Sequence, residues 1–150
     1  LPAIAAEPPA ASPEQATALL HAPKRGGTIL VVEDDPFLRD LVQAMLTEFG
    51  FTVLTADGAG TALGLASDTS LHLDLVLSDV VMPQMFGPAM VKQLLQQRPK
   101  LKVVFMTGYS EKAMFPEDLQ RHRFPILTKP FTGQALNLTI NQALQDEDNP

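Results

Sequence analysis

The chain has 150 residues, 45% of them hydrophobic and none of them cysteine, which suits one folded domain and excludes a disulfide framework, a thiolate nucleophile and a cysteine-ligated metal. A formal net charge of −6 opposes direct binding to the phosphate backbone of nucleic acids. With neither an apolar run that could span a bilayer nor a secretory signal pattern, we expect no membrane segment and a cytoplasmic location.

Residues 1–27 are rich in alanine and proline, which is typical of a linker. A short helix over Glu14–His21 is the one element predicted within this stretch. The composition then changes to that of a folded domain, which we expect over residues 28–145. Residues 146–150 form an acidic C-terminal tail.

Short apolar runs alternate with amphipathic stretches over the predicted domain, a pattern that indicates βα units around a parallel sheet. The apolar runs predict five strands, at Thr28–Val32, Thr52–Thr55, Leu73–Leu77, Lys102–Met106 and Pro125–Leu127. An open, doubly wound α/β sheet of this kind binds its ligands at the carboxyl ends of its strands.

Four helices are predicted between and after these strands, at Pro36–Phe49, Gly58–Ala66, Pro88–Gln97 and Gly133–Gln145. The first carries one apolar stripe, made up of Phe37, Leu38, Leu41, Val42, Met45 and Leu46. Between the fourth and fifth strands, Pro116 interrupts the helical pattern of Ser110–Arg123, so we expect a short or mobile helix there.

Acidic residues follow two of the predicted strands. Glu33, Asp34 and Asp35 come directly after the first strand, and Asp79 lies close after the third. The three consecutive acids could simply cap the next helix, a role that suits Asp35 best. However, the ends of parallel strands can be neighbours, and a carboxylate cluster without cysteine or suitably spaced histidine fits Mg²⁺.

A hydroxyl and an amine follow the fourth and fifth predicted strands. Thr107 comes directly after Met106, and Lys129 comes shortly after Leu127. Taken singly, Thr107 could be an ordinary strand-end residue and Lys129 a solvated lysine. Their placement at the same sheet edge as the acids favours a shared site.

These segments together resemble the receiver domain of response regulators. The resemblance covers about Thr28–Gln145 and rests on Ile29–Asp35, Asp79–Pro83, Met106–Gly108 and Lys129–Phe131. It implies a flavodoxin-like sheet with strand order 2-1-3-4-5, a Mg²⁺ (or Mn²⁺) cofactor and a cis peptide bond between Lys129 and Pro130.

The resemblance also implies a role for each residue of the site. Asp79 would be the phosphoacceptor. Glu33 and Asp34 would be the acidic pair that holds the metal together with Asp79, and the backbone carbonyl of Val81 would be a further metal ligand. Thr107 and Lys129 would contact the phosphoryl oxygens. Asp35 would then cap the first helix.

The chain departs from the family at Ile126, where many receivers carry an aromatic residue that swings inward on activation. We expect Ile126 to be an ordinary core residue. Tyr109, the only tyrosine, could gate access to the phosphorylation site or be an ordinary loop aromatic.

The predicted function is therefore that of a signalling domain rather than a classical enzyme. It would accept phosphate from a histidine kinase or a histidine phosphotransfer protein, and we expect it to be the receiver of a hybrid sensor histidine kinase. A stand-alone single-domain regulator is the alternative. A receiver used only for docking is disfavoured, because the acids, the acceptor, the hydroxyl and the amine are all present. A Mg²⁺-dependent phosphohydrolase is disfavoured because Val81 stands where such enzymes usually carry a second acid. The pattern does not indicate an oligomeric state.

Overall fold

A computed structural model describes residues 26–108 and 124–146 of the chain. Five parallel strands form a single sheet in the order β2-β1-β3-β4-β5. The strands are β1 Thr28–Val32, β2 Thr52–Ala56, β3 Leu75–Asp79, β4 Lys102–Thr107 and β5 Ile126–Thr128. The helices of the described residues are α1 Pro36–Glu48, α2 Ala59–Ser67, α3 Gly87–Gln97 and α4 Gly133–Gln145. The predicted α/β sheet and its strand order are confirmed.

Several predictions lie outside the described residues. They are the helix over Glu14–His21, nearly all of the linker, Tyr109 with the segment Ser110–Arg123, and residues 147–150 of the acidic tail. Among the described helices, none is both long and apolar enough to cross a membrane.

The sheet is buried on both faces, which is why its strands read as continuous apolar runs. Successive side chains of β1 alternate between two core clusters: Leu30 and Val32 belong to one cluster, and Ile29 and Val31 to the other. The first cluster includes side chains of α2 and α3, and the second includes side chains of α1 and α4. Helices therefore cover both faces of the sheet.

The third strand differs from its prediction, because it begins and ends two residues later. Leu73 is buried but lies outside the ladder, where it joins the core from a loop. Ser78 and Asp79 are polar yet pair with Phe105 and Met106 of β4. An apolar pattern reports burial rather than backbone pairing, and for this reason it missed that Asp79 is part of the strand.

Helix α1 begins as predicted, because the Asp35 carboxylate accepts a hydrogen bond from the backbone N–H of Phe37 at 3.0 Å. Its apolar stripe is wider than its contact with the sheet. Val42 and Leu46 are buried, whereas Phe37 is 79% exposed and Leu41 is 46% exposed. At about 100° per residue, Phe37 and Leu41 point well away from the direction of Val42. At these two positions the apolar stripe therefore faces solvent rather than the core.

Candidate functional site

Four strands bring polar side chains to one edge of the sheet. Asp79 ends β3, Thr107 ends β4, Glu33 follows β1 and Lys129 follows β5. All the strands are parallel, so these positions share the carboxyl edge, as the sequence pattern predicts.

Three carboxylates gather at this edge. Glu33, Asp34 and Asp79 each offer one oxygen, and these oxygens all lie within 4.8 Å of one another. Glu33 and Asp79 are buried, whereas Asp34 is exposed at the mouth of the cluster. The carboxylate of Asp35 instead caps α1. The structure thus brings Glu33 and Asp34, rather than Asp35, together with Asp79, which is the grouping expected from the sequence.

Lys129 lies between two of these acids. Its Nζ is 3.1 Å from Oε1 of Glu33 and 3.1 Å from Oδ2 of Asp79. Its backbone N–H donates to the carbonyl of Thr107 at 2.8 Å, which ties β5 to the end of β4. The Lys129–Pro130 peptide bond is cis, as predicted.

Burial and charge oppose each other in this cluster. Desolvation raises the pKa of Glu33 to about 7, with a further contribution from Asp79, and outweighs the lowering by the Asp35 backbone N–H and by Lys129. The close ammonium of Lys129 would suggest a low pKa, but Glu33 is only 1% exposed and the loss of water dominates. Burial would lower the pKa of Lys129, yet attraction by Asp79 and Glu33 prevails and raises it.

The acidic loop after β1 is held in place by hydrogen bonds within the loop and to neighbouring elements. The N–H of Asp35 donates to Oε2 of Glu33 at 3.1 Å, and the N–H of Glu33 donates to the carbonyl of Ala56 at 3.1 Å. Arg39 also donates from Nη1 to the carbonyl of Glu33 at 3.0 Å. Sequence reasoning missed Arg39, because no periodic pattern links an arginine in a helix to a carbonyl six residues earlier.

Thr107 is fully buried and its hydroxyl donates to the carbonyl of Gly108 at 3.0 Å. The strand partner of Asp79 is Met106, so Thr107 lies one residue beyond the level of the acid. Val81 lies in the loop that follows β3, two residues after Asp79, and its side chain is partly exposed.

The prediction that Ile126 is a core residue is wrong, because its side chain is 38% exposed. Ile126 begins the short edge strand β5, where successive side chains alternate between the faces. Leu127 takes the direction into the core and is buried against the cluster that includes α4. Ile126 points the other way, at the margin of the sheet.

The donor set fits a hard divalent cation. Every side-chain donor in the acidic cluster is a carboxylate oxygen, and neither nitrogen nor sulfur is among them. Mg²⁺ prefers such oxygen ligands and keeps several bound waters. Water can reach this cluster at Asp34, which is exposed. His72 lies elsewhere, paired with Asp74 at 2.8 Å.

Known proteins share this arrangement of elements. The sequence model for the response regulator receiver domain matches residues 29–141. The chain is 34% identical over 121 residues to the sensor kinase CckA of Brucella abortus, covering 81% of this chain and 13% of that protein. It is 38% identical over 128 residues to the DNA-binding transcriptional regulator NtrC of Escherichia coli, covering 83% of this chain and 27% of NtrC.

Among solved structures, the receiver domain of the hybrid histidine kinase CckA superposes with a TM-score of 0.66 at 29% identity, covering 79% of this chain and 100% of that one. The chain therefore resembles one domain of these proteins, and it spans only 13% to 27% of the length of the two relatives.

Proposed function

The chain belongs to the response regulator receiver domain family, and on that premise we propose that Asp79 accepts a phosphoryl group from a phosphohistidine. The observation that carries the proposal is the position of Lys129, whose ammonium lies 3.1 Å from both Asp79 and Glu33. A cation placed between two buried carboxylates suits a site that must receive a further anionic group.

The chemistry rests on offsetting negative charge. An oxygen of the Asp79 carboxylate forms the new bond to phosphorus while the bond from phosphorus to the histidine nitrogen breaks, and the electron pair of that bond returns to the imidazole. Carboxylate and donor are both anionic, and charge spreads over the equatorial oxygens during transfer. The ammonium of Lys129 would attract those oxygens, and the hydroxyl of Thr107 would rotate to donate to one of them.

Glu33, Asp34, Asp79 and the backbone carbonyl of Val81 would hold the cation. Bound Mg²⁺, or Mn²⁺, supplies positive charge that offsets the repulsion between the acceptor carboxylate and the phosphoryl oxygens. Asp34 is exposed and would hold the ion from the mouth of the cluster. Lys129 would then exchange part of its contact with Asp79 for contact with the incoming group.

A histidine kinase or a histidine phosphotransfer protein is the proposed donor. The family consists of signalling domains rather than classical enzymes. Similarity to a sensor kinase over 81% of the chain supports a receiver within a hybrid sensor histidine kinase. A stand-alone regulator is the alternative, and the reading frame upstream of residue 1 distinguishes them. We place the exchange in the cytoplasm, where ATP supplies the kinase.

Intact-mass measurement after incubation with acetyl phosphate tests the site. We expect the wild-type protein to gain the mass of one phosphoryl group with Mg²⁺ and to lose this labelling with EDTA. Asp79→Asn should abolish the gain. Asp57→Asn is the matched control, because Asp57 is an exposed carboxylate that lines the same 190 Å³ cavity as Asp34. Undiminished labelling of Asp79→Asn would place the phosphoacceptor elsewhere.

A further inference from the structure

Gly87 begins α3 and lies against the backbone of the acceptor strand. It is buried, and an added Cβ would come closer to the Asp79 carbonyl oxygen than any non-bonded contact allows. The same Cβ would lie 3.1 Å from the carbonyl carbon of Asp79 and 3.1 Å from Cα of Val80. These neighbours are backbone atoms, which cannot rotate away as the end of a flexible side chain can.

The loop over residues 80–86 is closed by backbone hydrogen bonds at its ends. The N–H of Gly87 donates to the carbonyl of Val80 at 2.7 Å, and the N–H of Val80 donates to the carbonyl of Met106 at 3.0 Å. Both ends of the loop are therefore held beside the sheet. The backbone carbonyl of Val81 lies within this closed loop.

A second contact reaches the same carbonyl of Asp79 from within the strand. The hydroxyl of Ser78 is fully buried and donates to the Asp79 carbonyl oxygen at 2.8 Å. The carbonyl of the acceptor residue is thus held by a hydroxyl and bordered by the Cα of Gly87. Neither residue belongs to the acidic cluster, and neither contacts the phosphoryl group in the mechanism above.

We propose that Gly87 and Ser78 are positioning residues that fix the backbone of Asp79 and close the loop carrying the carbonyl of Val81. A side chain at position 87 has to displace either the start of α3 or the end of β3. Either displacement moves the Asp79 carboxylate relative to Glu33 and Lys129. The role of Asp79 in this inference rests on the proposed function, but the effect on the metal site does not.

The test compares Gly87→Ala with Gly64→Ala, its matched control. Gly64 lies on an exposed part of α2, and an added Cβ there meets nothing within 4 Å. Mg²⁺ affinity is measured by titration calorimetry, and phosphorylation by acetyl phosphate is followed by intact mass. We expect Gly87→Ala to weaken Mg²⁺ binding by about tenfold or more and to slow phosphorylation by about 100-fold. Gly64→Ala should stay within about twofold of wild type in both.

Ser78→Ala provides the test that does not depend on the folding of Gly87→Ala. It removes one hydroxyl, and we expect Mg²⁺ affinity to fall by about threefold or more. Ser67→Ala is its control, because the Ser67 hydroxyl donates to the carbonyl of Gly64 at 2.7 Å on the surface of α2. A substitution that only destabilises the fold lowers the melting temperature but leaves the Mg²⁺ dissociation constant of the folded protein unchanged.

The outcomes separate this inference from the proposed function. If wild type is phosphorylated on Asp79 while Ser78→Ala and any folded Gly87→Ala protein retain wild-type Mg²⁺ affinity and rate, the positioning role is overturned. If wild type is not phosphorylated but these variants lose Mg²⁺ affinity, the positioning role stands and the phosphoacceptor role fails.

Discussion

Replacing Lys129 with methionine should destabilise the metal-free protein strongly at neutral pH. The substitution keeps most of the aliphatic stem and removes the ammonium that lies 3.1 Å from both Glu33 and Asp79. The side chains of these two acids are only 1% and 7% exposed, so water cannot replace the lost cation. Removing one partner of a buried ion pair costs about 3 to 5 kcal/mol.

We expect the lower end of that range, about 3 kcal/mol, because the Lys129 side chain is itself 27% exposed and its charge is partly screened. For a domain of this size the loss corresponds to a fall in melting temperature of roughly 10 °C. Lys100→Met is the control, since Lys100 is exposed, and its effect should stay within about 0.5 kcal/mol.

The loss should also depend on pH. Without the ammonium, which lowers the pKa of Glu33, that pKa in the folded state rises further above its value in the unfolded chain. The folded variant then binds more protons than folded wild type, so its relative stability falls as pH rises. Each unit of added pKa shift contributes about 1.4 kcal/mol. The deficit of Lys129→Met should therefore be larger at about pH 7.5 than at about pH 5.5.

Urea unfolding in EDTA, followed by circular dichroism because the chain has no tryptophan and one tyrosine, measures both effects. A loss below about 1 kcal/mol at neutral pH would show that the site tolerates two buried carboxylates without the ammonium. An equal loss at both pH values would refute the electrostatic account and leave packing of the lysine stem as the cause.

Asp34→Ala should weaken Mg²⁺ binding about tenfold or more with little change in metal-free stability. Asp35→Ala should instead cost about 1 kcal/mol of stability, because the Asp35 carboxylate caps α1, and it should leave the Mg²⁺ affinity unchanged. Equal losses of Mg²⁺ affinity for the two variants in calorimetric titrations would contradict these separate roles. Mg²⁺ affinity should fall as the pH drops below about 7, because burial raises the pKa of Glu33 to about 7 and the bound proton must leave. A constant affinity across that range, measured by the same titration, would exclude proton release. With beryllofluoride as phosphoryl mimic, amide hydrogen exchange should change over Ser110–Arg123 more than around Ile126. The aliphatic side chain of Ile126 has no hydroxyl that could move between solvent and the interior on activation. The reverse pattern would contradict an activation route without an aromatic switch.

The two errors in the predicted bounds of β3 share one cause. The apolar pattern identified β1 and β4 well, since a strand buried on both faces is apolar at nearly every position. It misplaced β3, where the core residue Leu73 lies outside the ladder and polar Asp79 lies inside it. Hydrophobicity measures the tendency to avoid water, and a loop residue can satisfy that tendency as fully as a strand residue.

The amino-acid sequence by itself determined the α/β class, the cap at Asp35 and the meeting of acids, hydroxyl and amine at one sheet edge. These features depend on local patterns and on one rule, that parallel strands end at the same side. Only the tertiary structure decided the exposure of Ile126, the hydrogen bond from Arg39 to the acidic loop and the close approach of Gly87 to Asp79. Each of these depends on the distance between atoms of segments that pack together, and the linear order of residues does not specify such distances.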